Sequence, residues 1–173
     1  TVLSTTFNGT TIKNIKFKGS NAAYYTYSSG DNVFENCTFV DPRWGIRVKT
    51  RASRGGTIEN VFFRNIKIKD ASIIGVDAVM EYLDCFEKLH YDDPMYNDPK
   101  IVAERESHIP FVNNICFENI ECNSNKLGLQ LVGIKNHELE NISFKDCKII
   151  SDEPMVIRDI KAMKAENFSF GSE

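Results

Sequence analysis

The feature that most constrains the fold is an internal repeat, in which an Asn precedes a short run of alternating apolar residues. The clearest copies begin at Asn60, Asn114, Asn141 and Asn167, which lie 54, 27 and 26 residues apart. The period is therefore about 27 residues, and the first interval spans two periods. Superposing the copies aligns four apolar columns: Val61, Ile115, Ile142 and Phe168; Phe63, Phe117, Phe144 and Phe170; Ile66, Ile120 and Cys147; Ile68, Cys122 and Ile149.

A period of this length with apolar residues at every second position excludes the helical repeats, whose apolar spacing follows 3.6 residues. Weaker copies surround Asn14 and Asn32, and a second strand follows most copies, as in WGIRVKT and LGLQLVGI. Short strands that recur in this way predict a parallel β-solenoid, in which like residues of successive coils stack about 4.8 Å apart. We therefore expect an all-β parallel β-helix of about six coils over residues 1–173, as a single domain.

The segment Leu83–His108 does not follow the repeat. It has many charges and no alternation, and its length roughly accounts for the doubled interval. We interpret it as a long loop between two coils, of the kind that often walls a binding cleft.

The composition of the chain limits the kinds of partner and cofactor that it is expected to bind. Apolar residues make up 42% of the chain, charged residues 26%, and the formal net charge is −3. This balance predicts no general attraction to nucleic acid or to an anionic membrane. The five cysteines include no CxxC pair, so we predict no metal site and no cofactor, and we interpret Cys37, Cys122 and Cys147 as core residues.

The second strands of the coils place polar side chains in one outward column. Arg47 and Lys49 begin the column, and Asp77 and Gln130 follow in later coils. Arginine offers a planar fork to a carboxylate and lysine a compact charge, so the column predicts a groove for an acidic polysaccharide. The same residues allow a plainer interpretation, in which Arg47 and Lys49 form surface ion pairs with Asp77 or Glu81.

The stretch GIRVKTRASRGGTIENVFFRNIKIKD resembles the arginine–lysine motif of glycoside hydrolase family 28, the polygalacturonases and their relatives in the pectin lyase-like superfamily. In that family a G-[IL]-R-[IVF]-K-[ST] strand precedes a basic, Gly-rich turn and a V-x-N-[IV]-x-[FY]-x-N-I strand. The fitting residues are Gly45, Ile46, Arg47, Val48, Lys49, Thr50, Arg54, Gly55, Gly56, Glu59 and Asn60. The resemblance covers roughly residues 30–170.

This resemblance implies a right-handed single-stranded β-helix and an inverting hydrolase acting on galacturonan (pectin), in which Arg47 and Lys49 bind the uronate carboxylate. It also implies secretion or a periplasmic location, and the family's Tyr after this motif makes Tyr82 a sugar-contacting candidate. Asp77 and Gln130 are substrate-binding candidates from their position.

The catalytic residues of the family are not matched. Inversion needs one carboxyl as acid and a second to activate water, and the family supplies them from N-x-D, D-D and G-H-G motifs on the N-terminal side of the arginine–lysine strand. Here that side offers Asp31, Glu35 and Asp41, none in such a motif. We do not transfer the catalytic pair to Asp92 and Asp93, which lie in the loop. We therefore assign no catalytic residue.

Three hypotheses remain open. The chain is the C-terminal part of a longer hydrolase whose missing N-terminal coils carry the acid and base, or it is a β-helix that binds acidic polysaccharide without cutting it. A third is a polysaccharide lyase, in which Lys49 with a lowered pKa would remove the proton next to the uronate carboxylate.

Overall fold

The computed structural model of the chain describes residues 9, 11–18, 29–52, 55–80 and 98–172, and these ranges are built almost wholly of β-strands. The elements in chain order are β1 (Thr11–Lys13), β2 (Lys16–Lys18), β3 (Ser29–Glu35), β4 (Thr38–Val40), β5 (Trp44–Lys49), β6 (Thr57–Ala71), β7 (Ile74–Val79), α1 (Pro99–Ser107), β8 (Phe111–Val132), β9 (Glu140–Glu153), β10 (Val156–Arg158) and β11 (Met163–Gly171). The pairings between these strands are parallel. The predicted parallel β-helix is confirmed.

The strands stack in three ladders. The first ladder contains β1, β3 and the N-terminal parts of β6, β8, β9 and β11. The second ladder contains β2, β4 and later parts of the same long strands. The third ladder contains β5, β7, the end of β8 and β10.

An apolar column runs through the interior of the first ladder. Its six positions, one for each coil, are Ile12, Phe34, Phe63, Phe117, Phe144 and Ala165. Ala165, the last of them, is exposed. Neighbouring phenylalanine rings stack with centroids 5.3, 5.3 and 4.8 Å apart, close to the ~4.8 Å spacing of adjacent strands. Stacked rings therefore fix the register of the coils as well as filling the core.

The chain bends between the first and second ladders at residues with left-handed backbone. Asn36, Asn65 and Asn119 have φ between 53° and 56°, a conformation that Asn tolerates better than most residues because its short side chain bonds locally. Their amides also join coil to coil: Asn65 Nδ2 donates to Asn36 Oδ1 at 2.9 Å, and Asn119 Nδ2 donates to Asn65 Oδ1 at 2.8 Å. The Asn between the first and second ladders is thus a bend residue that also links neighbouring coils.

The predicted alignment of the last repeat is wrong. Phe168 lies in register with Cys147 rather than Ile142, and Asn167 Nδ2 donates to Asp146 Oδ1 at 2.7 Å. An Asn followed by alternating apolar residues occurs twice in β6 and twice in β8, once within the first ladder and once at the bend, and the terminal copy corresponds to the bend position. The other superposed columns are confirmed.

The 54-residue interval between Asn60 and Asn114 contains one coil with an insertion instead of two coils. Strand β6 pairs directly with β8, so no further coil lies between them. Within the predicted loop Leu83–His108, residues 83–97 lie outside the described ranges, but Pro99–Ser107 form helix α1. The assignment of that part as loop is therefore wrong. The helix begins with an Asp98 cap, whose Oδ1 accepts from the Lys100 amide at 2.9 Å, and with proline in its first turn, both typical of helix starts.

Three predicted core cysteines, Cys37, Cys122 and Cys147, are buried and carry reduced thiols, as predicted. Burial raises the pKa of Cys122 to about 12, because an apolar interior disfavours the thiolate. No helix in the described ranges is long and apolar enough to cross a membrane.

Candidate functional site

Strand β5 has the alternation that the sequence predicts. Ile46 and Val48 belong to the core cluster, whereas Arg47 and Lys49 lie on the outer side of the third ladder. Arg47 is in register with Asp77 of β7, and Asp77 is in register with Gln130 of β8. The structure therefore brings together the predicted column of Arg47, Asp77 and Gln130, with Lys49 two residues from Arg47.

The expectation of an open cationic face is wrong for these side chains. Arg47, Lys49 and Asp77 are 3%, 1% and 0% exposed, and exposure along the column begins at the half-buried Gln130. Alternation along a strand shows which side chains point away from the core. It does not show whether other parts of the protein cover those side chains.

Arg47 holds a carboxylate in this buried setting. Its Nε lies 2.8 Å from Asp77 Oδ2, and both side chains are at most 4% exposed. This is one of the two ion pairs that the sequence allowed, but it is buried instead of lying at the surface. A buried guanidinium is stable only with a compensating charge, so the surroundings of Arg47 are built to take a carboxylate.

Trp44 supports Arg47 and was not identified from the sequence. The Arg47 guanidinium carbon lies 4.6 Å from the centroid of the Trp44 ring, and that of Arg43 lies 4.7 Å from it. Cation–π contact of this kind stabilises the arginine and restricts its orientation. The only feature of the sequence that pointed to this contact was an aromatic residue directly before the G-I-R triplet.

A break in the alternation explains why Trp44 and Arg47 share the outer side. A Cβ on Gly45 would lie 2.7 Å from side-chain atoms of Ile68, in the core, and Ile46 is also in the core. Two consecutive residues therefore face inward, so that the residues on either side of them, Trp44 and Arg47, both face outward. The equivalent Gly75 and Gly128 are equally crowded, so this corner requires glycine in three successive coils.

Buried polar atoms next to the cations lack hydrogen bonds within the part of the chain that the structure describes. They include Trp44 Nε1 and Thr50 Oγ1, and Thr50 is only 1% exposed. Buried polar groups are normally satisfied, so each such atom indicates an additional partner. The segment from Trp44 to Thr50 therefore combines two cations with unused hydrogen-bonding groups.

The carboxylates upstream of Arg47 lie elsewhere. Asp31 and Asp41 are bend residues with left-handed backbone, and Asp31 Oδ1 accepts from Asn60 Nδ2 at 2.9 Å. Glu35 pairs in register with Arg64 in the first ladder. None of the three is in register with Arg47. Tyr82, Glu81, Asp92 and Asp93 lie outside the described residues, so their predicted roles stay predictions.

The structure places the chain in the class of parallel β-helix proteins, with an arginine and a lysine two residues apart on strand β5. A sequence comparison identifies the family within that class: the family model described as "Glycosyl hydrolases family 28" matches residues 19–167 of the chain. The chain belongs to glycosyl hydrolases family 28, which confirms the resemblance. A search of curated proteins found no match.

Proposed function

We propose that this family 28 chain binds galacturonan, and that Arg47 and Lys49 ligate the carboxylate of a uronate residue. The observation that carries the proposal is the buried contact of 2.8 Å between Arg47 Nε and Asp77 Oδ2. It supports the assignment because it places a carboxylate against the same guanidinium that the family motif assigns to the uronate. The unused groups of Trp44 and Thr50 supply donors for neighbouring sugar oxygens.

Asp77 then has a different role from the groove contact predicted for it. Since Arg47 is buried and contacts Asp77, a uronate carboxylate reaches the guanidinium only by sharing or displacing that aspartate. Asp77 is in this proposal a positioning residue, which holds the guanidinium in place and competes with the ligand for it. Lys49, on the same side of β5, is the second charge that would favour the ligand in this exchange.

The proposed reaction of the whole protein is inverting hydrolysis of galacturonan, with the uronate held by this strand during cleavage. Inversion needs two carboxyl groups about 6.5–9.5 Å apart on either side of the scissile bond. Asp31, Glu35 and Asp41 are placed in bends or in the first ladder, away from Arg47. We therefore predict that these 173 residues bind galacturonate oligomers and do not hydrolyse them. Lyase chemistry through Lys49 stays a prediction without an observation in its favour.

Calorimetry with trigalacturonate tests the proposal. The variants are Lys49→Met, which removes the charge and keeps the length of the side chain, and Lys145→Met, which does the same at an exposed lysine of the first ladder. Lys49→Met should weaken binding by roughly tenfold, the effect of losing one well-placed charge, and Lys145→Met should leave it unchanged. Equal affinities in all three proteins would refute the assignment of Lys49, and measurable release of reducing ends by the wild type would refute binding without turnover.

A further inference from the structure

The outer side of the first ladder carries a row of charges that alternate in sign from coil to coil. We call it the alternating row, and its members in register are Lys13, Glu35, Arg64, Glu118, Lys145 and Glu166. Within it Arg64 Nε lies 3.5 Å from Glu118 Oε2. Opposite charges on adjacent strands stabilise a sheet and like charges destabilise it, so this row is arranged as stability alone would arrange it.

The neighbouring outer side of the second ladder is different. We call it the lysine face. Its first row, in register throughout, is Lys16, Thr38, Lys67, Glu121, Lys148 and Ser169. Its second row consists of Lys18, Val40 and Lys69 and, beyond an irregularity in the pairing of β6 with β8, of Asn123, Ile150 and Gly171. Five lysines meet a single carboxylate there, in a chain whose net charge is −3. All five lysines are exposed. The two rows together therefore carry five positive charges and one negative charge, whereas the three positive and three negative charges of the alternating row cancel.

The lysines occur in alternate coils. Lys16 and Lys18 lie in the first coil, Lys67 and Lys69 in the third, and Lys148 in the fifth. Strands about 4.8 Å apart place these groups at intervals of roughly 10 Å, over a length of roughly 19 Å. A single small anion would contact one group only, whereas an extended polyanion could contact all three.

A groove overlies the same residues. It has a volume of about 460 Å³ and is lined by three of the lysines, Lys67, Lys69 and Lys148, together with Asn119 and Asn123 and with the carboxylates Glu121 and Asp146. Lys67 Nζ lies 3.0 Å from Glu121 Oε2. Amides beside lysines offer hydrogen bonds for hydroxyl groups as well as charge for carboxylates, as an acidic sugar chain requires.

We propose that the lysine face is a second binding surface for an acidic polysaccharide, separate from the Arg47 site on the third ladder. The choice of polysaccharide rests on the proposed function of this family 28 chain. Single-stranded nucleic acid is less well matched, because surfaces that bind it interleave cations with aromatic side chains, and the two rows of the lysine face contain no aromatic residue. The surface would hold a long substrate on the protein while another part of it occupies the Arg47 site.

The test uses two triple variants with equal change of charge. The first, Lys16→Gln, Lys67→Gln, Lys148→Gln, removes the cations of one row of the lysine face in the first, third and fifth coils. The control, Lys13→Gln, Arg64→Gln, Lys145→Gln, removes the three cations of the alternating row from the same coils. Binding of long polygalacturonate is measured by co-sedimentation at low and at physiological ionic strength, and binding of trigalacturonate by calorimetry on the same proteins.

We expect the first variant to bind the polymer at least roughly tenfold more weakly, as the loss of several cations near an anionic surface implies, and the control to bind it nearly as well as the wild type. Trigalacturonate binding at the Arg47 site should be the same in all three proteins, so failure of that site leaves the polymer comparison intact. Equal weakening in both variants would mean that polymer binding depends on net charge and not on the lysine face, and would overturn the proposal. No loss in the first variant, or equal binding of the wild type to anionic lipid vesicles or single-stranded DNA, would also overturn it.

Discussion

The buried pair of Arg47 and Asp77 makes a quantitative prediction about the Asp77→Asn substitution. The asparagine keeps the size of the side chain and removes its charge, which leaves the Arg47 guanidinium buried without this counterion. Removing one partner of a buried ion pair costs about 3–5 kcal/mol in the free energy of unfolding. In a domain of this size each kcal/mol shifts the Tm by about 2–4 °C, so we expect the Tm to fall by roughly 6–20 °C.

The control is the exposed pair of Arg64 and Glu118, whose side chains are 43% and 46% exposed at a separation of 3.5 Å. Glu118→Gln should change the stability by less than about 1 kcal/mol, because solvent screens such pairs. Urea titrations of both variants give the comparison. The double substitution Arg47→Met, Asp77→Leu should recover most of the loss, since an apolar pair needs no counterion.

The same variant connects stability with binding. If a uronate carboxylate takes the place of Asp77, trigalacturonate should bind Asp77→Asn more tightly than wild type and should raise its Tm by a larger amount, because a ligand stabilises by RT ln(1 + [L]/Kd). An Asp77→Asn loss of under 1 kcal/mol, similar to that of Glu118→Gln, would refute the reasoning about the buried pair. Weaker binding of trigalacturonate by Asp77→Asn would refute the competition between Asp77 and the ligand.

Three further predictions concern the scaffold. Gly75→Ala should lower the free energy of unfolding by about 2 kcal/mol or more, since its Cβ would overlap the Cys122 sulfur, whereas Gly171→Ala, with nothing within 4 Å, should be neutral in the same urea titration. Asn65, with φ of 54°, should tolerate Gly better than Ala by about 1 kcal/mol, and equal stabilities would contradict a left-handed bend. Because burial raises the pKa of Cys122 to about 12, its protonated thiol stabilises the fold fully below the unfolded pKa of about 8.5, and this contribution is lost as the pH rises toward 12. The stability difference between wild type and Cys122→Ala should therefore shrink above about pH 8.5, and a constant difference would contradict the assignment.

The sequence predicted the interior of the fold well because stacking imposes the same residue type on successive coils. The phenylalanine column and its neighbours could be aligned from the sequence alone, and the register of Arg47 with Asp77 followed from the same superposition. The last coil was misaligned because its terminal copy is short and the Asn-led pattern occurs twice in β6 and twice in β8. Two apolar positions in FSF could not distinguish the two registers.

Helix α1 was missed because it is short and lies in a segment without apolar periodicity. The local signal was present in Asp98 and Pro99, a cap residue followed by proline in the first turn, but the many charges around it were interpreted as a loop. Such capping residues indicate where a helix can start and do not show that one forms.

The site itself was predicted only in part. Alternation along β5 gives the side of the strand on which Arg47 and Lys49 lie, but the inward turn of both Gly45 and Ile46 breaks that alternation and brings Trp44 against Arg47. Burial of the cations depends on tertiary structure, which periodicity does not report. For that reason the ion pair with Asp77 was anticipated as a surface contact and is found buried.

The central claim, that this strand binds uronate through charge, is tested most directly by changing the ligand instead of the protein. Trigalacturonate and its fully methyl-esterified form have the same sugar chain and differ in the carboxylate charges. Calorimetry on the wild type should show binding of the acid form and a loss of at least roughly tenfold for the ester, as expected when the charged partner of a cationic site is neutralised. Equal affinity for the two forms would contradict the claim that Arg47 and Lys49 form a carboxylate site.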